Sequence, residues 1–189
     1  MHRFNPSCYS EGFMPLLLGE RLNVLGPGVA NSSVKHLLET LDVATLFKAS
    51  DVADGMANCC ISALWLRHDF LDQSHQISQS IDSCEGSYWH GIMHRREPDP
   101  CNAKYWFRKV GDHAVFPQLH RHASELAESM EHDAAADFLA SQDAWSPDRF
   151  IDLCTQVRLG KSASEELCQQ IQAREWELLF DYCYQRATT

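Results

Sequence analysis

Two histidine patterns in this chain have the spacing of a chemical site. In GSYWHGIMHRREPDP, His90 and His94 stand four residues apart, the separation at which one helix turns two imidazoles to the same side and can offer both to a divalent metal ion. Upstream, His68, Asp72 and His75 run at i, i+4 and i+7 through HDFLDQSH, so on one continuous helix they form a single row that Gln79 extends. Together they offer His68, His75, His90 and His94 as metal ligands, with Asp72 as the carboxylate. Imidazole with one carboxylate suits Zn, Fe, Mn or Ni, and open coordination positions would activate water or dioxygen. Gly91 stands where a zinc-protease helix carries Glu, and the ExxH pairs of a di-iron carboxylate bundle are missing. A metal-free use of the same groups makes His75 or His90 a general base polarised by Asp72. Ser74 is a weaker nucleophile, because next to His75 it points to another side of the helix.

Around the second pattern lies a basic and aromatic cluster. Ser87 to Lys109 carries Arg95, Arg96, Lys104, Arg108 and Lys109 against Glu97 and Asp99, a local net of +3 in a chain of net charge −10. Arg95, Arg96, Lys104 and Arg108, walled by Tyr88, Trp89 and Trp106, would bind a small carboxylate or phosphate, Arg through its planar fork. The plainer reading has the aromatics anchoring the segment to the core and the bases in solvent or in surface ion pairs. In a third reading the same hairpin docks non-catalytically onto a partner protein through exposed Trp and Arg.

The elements that must position these groups read as helices. Val52 to Ile81 has no Pro, and Gly55 is its only Gly. Its apolar residues cover most sides, which predicts one long central helix or two nearly collinear ones. Ser87 then caps a short helix to Arg96, ended by Pro98, and Asn102 caps AKYWFRKV, closed by Gly111, so the pair forms a tight hairpin. With only Ser80 to Gly86 between them, the central helix and the hairpin should bring the two histidine patterns face to face across a cavity.

Residues 1 to 30 hold Pro6, Pro15, Pro27 and four of the nine Gly, and predict an irregular arm over the core. SVKHLLETLD and ATLFKAS are short amphipathic pieces. Asp112 to Pro117 forms a loop into a helix from Leu119 to His132 with a solvated face, Ser146 with Pro147 opens another that Gly160 closes, and Ser162 or Ser164 starts a final helix to Arg186 that docks along the central one. The fold class expected is all-α, a single-domain irregular helical bundle over residues 1–189.

A net charge of −10 with pI near 5.4 argues against a sequence-independent nucleic-acid binder, which needs surplus Lys and Arg. Met14 to Leu18 is too short for a membrane span, so the chain is expected to be soluble and cytoplasmic. Eight cysteines without a CxxC pair read as free, mostly buried thiols. Oligomeric state stays open.

The stretches HDFLDQSHQISQ and YWHGIMHRREPDPCNAKYWFRKVGDHAVF, about a third of the chain, resemble a set of bacterial proteins with the signature HDFLDxSHxIxQ followed by YWHxIMHRREPDxxNAKYWFRxVGxHxVF. That set has no established activity. The resemblance implies that the two stretches form one site and implies no reaction.

Overall fold

The computed structural model describes residues 4–19, 21–47 and 53–189, and among these there is helix and no strand. The fold is all-α. Val52, the expected start of the central helix, and the KAS end of the second amphipathic piece lie outside the described residues. Short helices α1 (Met14–Leu17), α2 (Lys35–Leu38) and α3 (Val43–Phe47) lead into α4 (Asp54–Arg67), α5 (Leu71–Ser78), α6 (Cys84–Arg96) and α7 (Pro100–Val110). Then come α8 (Phe116–Ser129), the single turn α9 (Phe138–Ser141), α10 (Pro147–Arg158) and α11 (Glu165–Ala187). No helix among the described residues is long and apolar enough to cross a membrane.

The long central helix is the main correction. It ends at Arg67 and the chain reverses, so that Ser62 Oγ of α4 lies 3.0 Å from both the carbonyl and the hydroxyl of Ser74 on α5. On one helix, residues twelve apart would be about 18 Å apart. The reversal is a Schellman stop built on Asp69, whose φ of 64° is left-handed. Asp69 N–H bonds Leu66 O (3.1 Å), Phe70 N–H bonds Trp65 O (3.0 Å), and the Phe70 and Trp65 rings pack edge to face at 5.2 Å. Asp is among the few non-glycine residues that tolerate this conformation. Here its carboxylate is held as well: Asn23 Nδ2 donates to Oδ1 (2.8 Å), Arg21 Nη2 reaches Oδ2 (2.5 Å), and Arg96 Nη2 bonds Oδ1.

Helix α11 docks along α4, where Trp176 Nε1–H donates to Ala63 O at 2.9 Å. Part of the described N-terminal segment packs on α11. Tyr9 and Phe13 pack edge to face on Phe180, and Tyr9 O–H donates to Asp181. All eight cysteines are free, and five of them are buried.

The α6–α7 hairpin forms as expected, with its caps shifted. α6 starts three residues before Ser87, because Ser83 Oγ accepts the Gly86 N–H at 3.1 Å. Asp99, with Pro100 at the first helical position, caps α7 in place of Asn102 and accepts the Asn102 N–H at 3.0 Å. Gly91 is needed for packing: a Cβ there would lie 2.8 Å from the Phe107 ring, so only glycine lets α6 and α7 approach this closely.

Candidate metal centre

Three of the four proposed ligands converge. The chain passes from α5 to α6 through Gln79 to Ser83, five residues, so the two helices lie side by side and Ser78 Oγ comes within 3.0 Å of His90 Nδ1. The His75 ring centroid is 4.6 Å from that of His90 and 5.2 Å from that of His94. One ring nitrogen from each of the three lies within 4.8 Å of the others. His90 and His94 are buried and His75 is half-buried, which leaves one side open. The indole of Trp106, from α7, lies over His90 at 4.1 Å, and Asn102 Nδ2 stands 3.0 Å from His94 Nε2.

The hydrogen bonds around the cluster are compatible with an arrangement that turns two ring nitrogens inward. Ser78 O–H donates to His75 O (3.3 Å), which leaves its oxygen to accept from His90 Nδ1–H. His94 Nδ1–H donates to Glu97 Oε2 at 2.8 Å. With both protons on Nδ1, the two Nε2 lone pairs face each other 3.0 Å apart, with the Asn102 amide beside His94 Nε2; with a proton on His90 Nε2, the same contact is a hydrogen bond between the rings. Two facing lone pairs at that distance repel unless a cation or a proton lies between them. Nitrogens bound to one ion at about 2.0–2.1 Å, at an angle of about 90–110°, stand about 2.9–3.4 Å apart. The geometry fits the edge of a coordination sphere. Ligating histidines normally donate the other ring N–H to a carboxylate or similar acceptor, as His94 does to Glu97.

Burial, then the neighbouring His94, His75 and Lys109, drives the His90 pKa down to about 3. The same burial lowers His94, opposed by Glu97. Both rings stay neutral, the form that ligates. On unfolding, His90 regains its ordinary value of 6.5, so below that pH the unfolded chain binds a proton that the native chain refuses. Native stability is therefore full above about pH 6.5 and is lost as pH falls toward 3. Buried His68 and His122 shift in the same direction. Urea titrations of metal-free protein at about pH 7.5 and about pH 5 should give a lower midpoint at the lower pH, and equal midpoints would contradict the neutral cluster.

Other proposed site residues are placed elsewhere. His68 caps the end of α4, its Nε2 3.0 Å from Leu16 O and its Nδ1 3.3 Å from Asn31 Nδ2, so it is no ligand of this cluster. Asp72 is exposed on the first turn of α5 and is not among the converging groups. The reversal at Asp69 separates both from His75.

The anion cluster is also taken apart. Arg95 is buried in an ion pair with Glu175 of α11 (2.5 Å), beneath the Phe150 ring, and Tyr88 O–H donates to the same carboxylate at 3.1 Å. Arg96 is buried on Asp69 and donates to Leu66 O at 2.9 Å. Lys104 pairs with Asp152 of α10 at 2.7 Å. Trp89 is fully buried against Trp176. Arg108 and Lys109 stay exposed, and Lys109 lies over Trp106 at 4.3 Å. Of the hairpin aromatics, Tyr88, Trp89 and Phe107 are buried, Trp106 is half-buried and Tyr105 is 48% exposed.

A second group missed by the sequence reading joins Cys84, Glu85 and His113. Its signal was Cys-Glu just before the hairpin helix. It does not suit a metal: His113 Nδ1 accepts the Val115 N–H at 3.2 Å, so the proton sits on Nε2, which faces Glu85 Oε1 at 3.8 Å. That contact holds the Glu85 carboxyl down at about 2.

Comparison with protein-family models, with curated proteins and with solved structures finds no match.

Proposed function

We propose that this chain is a metal-dependent enzyme whose centre is His75, His90 and His94. The observation that carries the reading is the 3.0 Å approach of the His90 and His94 Nε2 atoms, with a His75 ring nitrogen within 4.8 Å of a nitrogen on each. Three protein ligands with an open side are the mark of catalytic rather than structural sites, which close with four. Neutral imidazoles favour Zn, Fe or Ni over Mn, which prefers oxygen donors. A divalent ion held there supplies Lewis acidity at its open positions. The protein's own groups do the rest: Glu97 and Ser78 hold the ring orientations, Trp106 excludes water from one face, and Lys109 beside it draws a small anionic substrate. Protein purified without a histidine tag should carry, or take up in calorimetric titration, about one Zn, Fe or Ni ion per chain. No uptake, or undiminished uptake after His75, His90 and His94 are all replaced by Ala, overturns the reading.

A metal-free alternative has one observation in its favour. Ser78, His90, His94 and Glu97 form an unbroken chain of polar contacts that could pass a proton from the cavity to the surface carboxylate. Activity that survives exhaustive chelation would select it.

A further inference from the structure

Helix α7 lays a row of three unlike groups along the histidine cluster. Asn102, Trp106 and Lys109 are spaced i, i+4 and i+7, so they share one face of the helix. The row runs from the site toward solvent: Asn102 beside His94, Trp106 over His90, and Lys109 on the indole at 4.3 Å, the first two half-buried and the last exposed. Asn102 Nδ2 is 3.0 Å from His94 Nε2 and 3.4 Å from Nδ1. An atom that close to both ring nitrogens lies over the face of the imidazole, because in the ring plane it would strike the carbon between them. The amide therefore leaves the Nε2 lone pair to an ion and stands beside the place which that ion would take. Its position owes nothing to the helix cap, since Asp99 is met by the Asn102 backbone N–H and the side chain is left over.

We propose that this row is the wall against which the three-histidine centre binds a short carboxylate, one oxygen on the ion, the other accepting an N–H of Asn102, with the Lys109 ammonium at the mouth. The inference rests on the metal reading above and names the ligand class for it. Three neutral imidazoles leave both charges of a divalent ion uncompensated, so its open side favours an anion. A carboxylate carries two acceptor oxygens on one planar group and can meet the ion and the amide together. Both polar members of the row are donors, and hydrogen bonds from donors to an ionised acceptor are the stronger kind.

The test titrates the full chain, loaded with Zn, with acetate and with thiocyanate, an anion of equal charge that has no oxygen, and follows binding by calorimetry. Acetate should bind the loaded chain and not the metal-free one. Asn102→Leu should weaken acetate about tenfold and thiocyanate less than about twofold, with Zn affinity unchanged. Asn102→Asp keeps the shape of the side chain and puts a negative charge where the donor was, so it should weaken acetate further while holding Zn at least as tightly. Lys109→Gln should weaken both anions alike, by about two- to threefold at low salt and less as salt rises. Equal weakening of the two anions by Asn102→Leu, unchanged acetate binding in both Asn102 variants, or acetate binding as tight without Zn would overturn the proposal. So would a loss of Zn together with acetate in Asn102→Leu, since the amide would then act only by holding the His94 ring. Each of these results leaves Zn uptake by the wild type standing; a wild-type chain that takes up no Zn overturns the metal reading itself, and this inference with it.

Discussion

Glu175→Ala should lower the stability of the native state by about 3–5 kcal/mol, measured by urea unfolding at neutral pH. Glu175 is fully enclosed, accepting from Arg95 Nη2 on one oxygen and from Tyr88 O–H on the other. Its removal strands a guanidinium that is itself almost wholly enclosed and already has Nε and Nη1 without partners. Arg95→Ala should cost a similar amount by stranding the carboxylate. The pair itself contributes far less than either single loss suggests, because desolvation offsets most of the attraction. An Arg95→Met, Glu175→Leu double variant should therefore recover much of the stability. Losses below about 1 kcal/mol in both single variants would mean that water reaches the pair, and Arg95 would again be a candidate for substrate.

That network also shows where the sequence stops being readable. Counted locally, Arg95, Arg96 and Lys104 lack partners, which is why they read as an anion clamp. Their carboxylates lie 80, 27 and 48 residues away, at Glu175, Asp69 and Asp152. Charge pairing over such distances is a property of the packed fold, and no local sum of charges contains it. The helical class and the α6–α7 hairpin were legible because their causes are local: apolar period, Pro98, Pro100 and Gly111. The meeting of His75 with His90 was legible for the same reason, since a short connection leaves two helices little choice but to lie side by side. The break between α4 and α5 was not, because a left-handed Asp69 carries no Gly or Pro signal and is secured by Arg21, Asn23 and Arg96 from elsewhere in the chain. With that break, the HxxxDxxH row lost its meaning, and His68 became a capping residue.

His90→Ala should reduce affinity for Zn by a thousandfold or more at neutral pH. It leaves His75 and His94 as an incomplete set, and the pairwise approach of Nε2 atoms is gone. Glu97→Gln separates a metal centre from a buried proton relay more sharply. Glu97 is about half exposed and touches the site only by accepting from His94 Nδ1–H, so its loss should leave the fold intact. If His94 is a ligand, the neutral amide still accepts that N–H but no longer strengthens the ring as a donor, and Zn affinity should fall about 10- to 100-fold. Glu97→Ala should fall at least as far, since nothing then fixes the ring. A relay ending at Glu97 makes a different forecast: the substitutions would shift the pH profile of any activity and leave Zn affinity untouched. Unchanged Zn affinity in both Glu97 variants, with His90→Ala also binding normally, would place the ion elsewhere and leave these three histidines as packing groups held neutral by burial.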